Sequence, residues 1–211
     1  MKRPGSSGNY YPSSSYHRPQ YYYHFFDYVS DLVNLFRHNN WPAIDIVAHS
    51  MGGMIASAFA AAFPEKVKSL TLIDSFGFIC GSAEQATNQL RQGILSRTKK
   101  VIHTRSFSEE TAIKARLLVS DLQNNHAMLI VQRSLINVES ETPNHEGDVK
   151  STDLFHWRSD PRLRTISPYR LSVEQAKQLL SDIKCPVQLV YGDKGMDMVI
   201  KGLSLFSDCV R

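Results

Sequence analysis

One stretch constrains the whole chain: Ala43 to Gly77, AIDIVAHSMGGMIASAFAAAFPEKVKSLTLIDSFG. Ala43 to Ala48 is a short apolar run rich in Ile and Val, the pattern of a strand buried on both faces. His49-Ser50-Met51-Gly52-Gly53 follows directly. Met54 to Phe63 then runs through Ala, Ile and Phe without a breaker until Pro64, which predicts a helix packed on a sheet. Val67 to Asp74 is a second buried-strand candidate. Strand, sharp turn, helix and strand in this order predict an α/β architecture with a parallel sheet. Ser50 is the polar residue set at its central turn.

A serine on a tight strand-to-helix turn has a strained backbone and an exposed hydroxyl at the top of the sheet. Small neighbours let strand and helix approach closely, and Ala48, Gly52 and Gly53 supply them. The following helix aims its N-terminus, with its partial positive charge and free N–H groups, at any oxyanion that develops there. The backbone N–H of Met51 is the expected oxyanion donor. Alanine at 48 stands where the motif G-x-S-x-G has its first glycine.

The segment resembles the nucleophile elbow of the α/β-hydrolase superfamily, and the chain is similar to the serine hydrolase-like proteins of animals. Beyond the turn, the likeness rests on Tyr23-His24-Phe25-Phe26-Asp27-Tyr28, on Trp157-Arg158-Ser159-Asp160-Pro161-Arg162-Leu163 and on Cys185-Pro186-Val187-Gln188-Leu189-Val190. The resemblance implies a partial α/β-hydrolase fold, a parallel sheet flanked by helices, with a mostly helical cap insertion. It implies a serine hydrolase acting on a carboxylic ester or related small-molecule acyl substrate, without cofactor or metal. A serine at this turn, in place of a carboxylate, argues against epoxide-hydrolase or dehalogenase chemistry.

The expected organisation is an extended lead-in over residues 1–20, a core over 21–78 and 171–211, and a helical cap over 79–170. The lead-in is rich in Ser, Pro, Gly and Tyr and has no periodicity. Helices are expected at His24–Asn39, Ser82–Thr98, Ser108–Gln123, Asn125–Ile136 and Leu171–Ile183. Ser82/Gln85 and Ser172/Gln175 have the spacing of capping boxes. Thr142–Asp153 is expected to be a loop, Pro186–Tyr191 a buried strand, and Met196–Arg211 to hold one short helix. The aromatic cluster Tyr21-Tyr22-Tyr23 with Phe25-Phe26 is expected to pack in the core.

Composition excludes several classes. The 211 residues, 42% hydrophobic and 21% charged, suit a globular chain with one sizeable core. A formal charge of +4 is too mild to imply nucleic-acid binding. No apolar run is long enough for a transmembrane segment, and Lys2-Arg3 is followed by no apolar core, so no secretory signal is expected. Three widely spaced cysteines, Cys80, Cys185 and Cys209, suit a reducing compartment and a cytoplasmic protein.

A serine hydroxyl needs a base to take its proton and an acid to orient that base. The acid candidates are Asp74, after the second strand, and Asp193, with Asp197 nearby. The usual spacing after the later strand is Gly-x-x-acid, and here Gly195 occupies that place, which inclines the choice to Asp74. No histidine follows Asp193. His49 adjoins Ser50 but points away from it at a sharp turn, and is expected to pack the elbow. His24 and His126 could serve only if their segments folded over the site. The superfamily also places four strands and a second oxyanion donor ahead of the elbow, whereas about forty residues precede it here. The expectation is a truncated or alternatively spliced product whose catalysis is impaired. The competing expectation is a catalytically silent module that binds a ligand or a partner protein.

Overall fold

In the computed structural model, which describes residues 23–98, 106–137 and 154–210, the apolar runs flanking Ser50 form parallel strands β1 (Ile44–His49) and β2 (Val67–Ile73). Between them lies helix α2 (Met51–Ala62), which starts three residues earlier than the apolar pattern suggests. A third parallel strand, β5 (Val187–Val190), pairs with β2, giving the order β1-β2-β5. Helix α1 (Phe25–Asn39) precedes β1, and Asn40, in the left-handed region at φ 51°, closes it. Leu70 and Leu72 alternate inward on β2 with Ile46 and Ala48 on β1 and Val187 and Leu189 on β5. The opposite face, with Val47, His49, Ile73 and Val190, is exposed.

Helix α2 explains the tight layering. Its buried run includes Gly53, Ala56, Ser57, Ala58 and Ala60, small residues that let the sheet, α1 and the helix over Val173–Ser181 come close. Phe59 fills the remaining gap, 4.8 Å in ring centroid distance from Phe36 and 5.3 Å from Phe63. Full burial of such a ring stabilises the fold by roughly 1.5–3 kcal/mol. Helix α6 (Val173–Ser181) buries Ala176 and Leu180 against this core. The box at Ser172 forms: Gln175 N–H donates to Ser172 Oγ at 3.2 Å, and Ser172 N–H donates to Gln175 Oε1 at 2.9 Å. Helix α7 (Asp197–Phe206) closes the core with Val199 and Phe206.

The chain divides into two units. The one just described comprises Tyr23–Thr98 and Thr165–Arg211, and α3 (Ala86–Thr98) belongs to it. At Ser82 the capping box does not form; Gln85 N–H bonds to the Ser82 backbone carbonyl instead, and a 3-10 turn, Ala83–Gln85, leads into α3. Of the aromatic cluster expected in the core, Phe25 packs against it, Phe26 is exposed, and Tyr21 and Tyr22 lie outside the described residues. Phe25 meets Phe78 edge-on at 6.0 Å, and Tyr23 stacks on Tyr28.

The described part of the second unit, 106–137 and 154–164, contains α4 (Glu109–Leu117), α5 (Asn124–Ser134) and an antiparallel pair, β3 (Leu135–Asn137) with β4 (Phe155–Trp157). The helix expected over Ser108–Gln123 is shorter than its pattern, and the strand pair was not foreseen. Phe107, Val131, Leu135 and Trp157 form a small core of their own. Within the Trp157–Leu163 stretch, Asp160 is 2% exposed and carries Arg162 on both carboxylate oxygens, so this stretch builds a buried ion pair. The lead-in of residues 1–20 and the loop expected at Thr142–Asp153 lie outside the described residues.

Candidate active site

Between the last residue of β1 and the first of α2 stands a single residue. Ser50 therefore makes the whole turn, at φ 52° and ψ −127°. A non-glycine residue in this region carries strain on the order of 1–3 kcal/mol and persists only where the surroundings over-determine it. The surroundings here are explicit. Ser50 N–H donates to the Ile73 carbonyl at 3.0 Å, extending the β1–β2 ladder by one bond, and the Ser50 carbonyl accepts from Gly53 N–H at 2.9 Å. The N–H groups of Met51 and Gly52 lie in the first turn of α2, where no helical acceptor exists. They give the turn the donor and dipole character that stabilises an anion.

The two glycines after Met51 differ. A Cβ built on Gly53 would stand 2.6 Å from Ser75 Cβ and closer still to its hydroxyl, so only glycine fits there. A Cβ on Gly52 would meet nothing within 4 Å. Of the small residues expected to permit the close approach, Gly53 does so and Gly52 does not.

Asp74 follows the last residue of β2, next to the Ile73 that holds Ser50. Its φ is 47°, and its N–H donates to the Val190 carbonyl of β5 at 2.8 Å. Ser50 and Asp74 thus follow the C-terminal ends of the adjacent parallel strands β1 and β2. The Oδ1 atom of Asp74 is buried with no hydrogen-bond partner among the described residues. Asp193 is exposed in the turn after β5, and its Oδ1 accepts from Lys194 N–H at 2.9 Å. Asp197 is exposed at the start of α7.

The described histidines are dispersed. His49 lies on the exposed face of β1. Helix α1 packs on α2, and His24 is its N-terminal cap. The Nε2 of His24 lies 3.1 Å from Nη1 of Arg97. A guanidinium only donates, so that imidazole nitrogen is the acceptor of this contact. His38 is exposed in the last turn of α1. His126 and His156 lie in the other unit, and His156 Nδ1 is buried without a partner among the described residues. None of the described histidines is hydrogen-bonded to Ser50.

Sequence alone missed two features of the site. A Cβ built on Gly195 would stand 2.8 Å from Asp74 Oδ1, and these residues, far apart in the chain, come together only through the β2–β5 pairing. The buried Ser75 hydroxyl, also unpartnered among the described residues, follows from the Gly53 approach.

A family model described as the alpha/beta hydrolase fold matches residues 9–202. This chain belongs to the α/β-hydrolase fold family. Among its relatives, the serine hydrolase-like protein of Danio rerio is 27% identical over 193 residues, which is 86% of this chain and 54% of that protein. The serine hydrolase-like protein of Mus musculus is 27% identical over 139 residues, 60% of this chain and 43% of that protein. The chain therefore spans about half the length of the curated relatives it matches. Among solved structures, the hypothetical protein PA1622 of Pseudomonas aeruginosa PAO1 superposes with a TM-score of 0.76 at 27% identity, over 92% of this chain and 65% of that one. The thioesterase domain from the curacin biosynthetic pathway shares the fold, with a TM-score of 0.64 at 23% identity. Within the α/β-hydrolase frame seen here, no described helix is long and apolar enough to cross a membrane, and no three described His, Cys, Asp or Glu side chains are grouped to hold a metal ion.

Proposed function

We propose that this chain carries the nucleophile region of a serine hydrolase that cleaves a carboxylic ester or related acyl substrate. The observation that carries the proposal is Ser50 at φ 52° and ψ −127° between the end of strand β1 and the N-terminus of helix α2. Strain of this kind is retained where a side chain must be presented in a fixed direction. The names of the relatives, serine hydrolase-like proteins, support the same assignment.

In the proposed mechanism Ser50 Oγ attacks the acyl carbon, and the carbonyl oxygen becomes an oxyanion. Met51 N–H donates to that oxyanion, aided by the positive end of α2. Asp74 is proposed as the acid that orients the base, in preference to Asp193. A buried, unpaired carboxylate oxygen suits the task of accepting an imidazole N–H, whereas Asp193 faces water and is engaged by its own turn. The Ser50 proton must pass to a base that Asp74 orients; among the described residues no histidine is hydrogen-bonded to Ser50, and His24 faces Arg97. With no described histidine hydrogen-bonded to Ser50, turnover is proposed to be slow, with the oxyanion donors and positioning supplying rate enhancement. Residues 79–170 are proposed to act as the cap that selects the acyl or alcohol group. Three unpaired cysteines support a reducing, cytoplasmic setting.

A second role, that of a silent binding module, is favoured by one observation, the exposed apolar positions Val47, Ile73 and Val190 on one sheet face. Covalent labelling by a fluorophosphonate, which reacts with an activated serine, separates the two. A hydrolase gives an adduct on Ser50, and a binding module gives none.

A further inference from the structure

The last turns of α1 and α2, with the 3-10 turn Pro64–Lys66 that follows α2, border a cleft of about 710 Å³. Small-molecule sites span roughly 300–1,000 Å³. A run of rings lines it. Trp41 meets Phe36 edge-on at 5.4 Å, Phe36 lies 4.8 Å from Phe59, and Phe59 lies 5.3 Å from Phe63. Phe36 and Phe59 are buried, whereas Trp41 keeps 38% of its surface in water. Ser50 stands at the opposite end of α2, whose 12 residues put about 18 Å between the two places. The cleft is therefore separate from the candidate active site.

The rim is polar. Arg37 comes from α1, Lys66 from the 3-10 turn, and Asn40 and Glu65 stand beside them. The carbonyls that end the two helices here are already taken. Those of Phe36 and Arg37 accept from Trp41 N–H and Asn40 N–H, and those of Phe59 and Phe63 accept from Phe63 N–H and Lys66 N–H. Side-chain charge therefore sets the character of the opening, with two cations against Glu65. Cations near helix C-termini are ordinary; here both also border one ring-lined cleft, and neither forms an ion pair among the described residues. We infer that this cleft binds an amphipathic monocarboxylate, its apolar body on the rings and its carboxylate between Arg37 and Lys66. The rings favour any apolar body that leaves water. The guanidinium and the ammonium give a carboxylate charge-assisted hydrogen bonds that a neutral or cationic head group does not receive. The assignment is independent of the role proposed for Ser50.

The test follows Trp41 emission in the full chain carrying Trp157→Phe, which leaves Trp41 as its one tryptophan. The probes are decanoate and, with the head-group charge reversed, decyltrimethylammonium. Calorimetry on the unmodified chain gives the same comparison if Trp157→Phe impairs folding. Decanoate is expected to change the emission saturably at submillimolar concentration. The ammonium probe should bind at least about tenfold more weakly, the effect of one charge-assisted hydrogen bond. Arg37→Glu/Lys66→Glu should weaken decanoate binding at least about tenfold and remove the preference for the anion. If circular dichroism shows that this variant unfolds, Arg37→Gln/Lys66→Gln takes its place. Ser50→Ala should bind decanoate as the parent does. Equal affinity for the two probes, a folded rim variant that binds decanoate as tightly as the parent, or no saturable change at millimolar decanoate overturns the inference. Loss of binding in Ser50→Ala also overturns it, because the probe would then occupy the Ser50 site.

Discussion

Gly53 of α2 lies directly against the Ser75 side chain, so close that a Cβ on residue 53 would stand 2.6 Å from Ser75 Cβ. The residue three after the strained serine is thereby pinned to the residue that follows Asp74, and the two strand ends become one rigid edge. Gly53→Ala is expected to destabilise the fold by about 1–3 kcal/mol, the usual scale of overpacking. Gly52→Ala, which meets open space, is expected to be near neutral. Urea unfolding of the two variants measures the contrast, and Ser75→Gly should relieve the first and leave the second unchanged.

Strain at Ser50 has its own signature. Glycine accepts a positive φ without the penalty that alanine keeps. Ser50→Gly should therefore be more stable than Ser50→Ala, by about 1–3 kcal/mol if the strain is of ordinary size. Both variants lose the hydroxyl, so the comparison isolates the backbone. Equal stability would mean that the turn relaxes once the hydroxyl is gone.

The fold also predicts a response to alkali. Burial, with Tyr23, Asp31 and Asp27 adding their charge, pushes the Tyr28 phenol up to about 12 from an ordinary 10.0. The folded state thus holds this proton more tightly than the unfolded chain does. That contribution to stability is complete below pH 10 and is lost as pH rises from 10 toward 12. Tyr28→Phe should flatten this part of the stability profile, as measured by urea midpoints across the range.

Much of the core unit was legible because its signals are local. The Ile- and Val-rich runs around Ser50 and after Cys185 became β1 and β5, and Ser172 with Gln175 formed the box their spacing implies. The same spacing at Ser82 did not, because a tight 3-10 turn let the backbone carbonyl take the Gln85 N–H first. The β3–β4 pair escaped notice because each strand is three residues long, too short to show an alternation. The relation of Asp74 to Gly195 was out of reach for a different reason. It exists only once β2 and β5 pair in register, and neither residue's neighbours in sequence announce it.

Ser50 is proposed as an activated nucleophile within this α/β-hydrolase fold. The direct measurement is intact-mass detection of a fluorophosphonate adduct on the purified, folded chain, with peptide mapping and Ser50→Ala alongside. A single adduct on Ser50, absent from the variant and slowed by Asp74→Asn, is the predicted result. A chain that is folded by circular dichroism yet forms no adduct would contradict it.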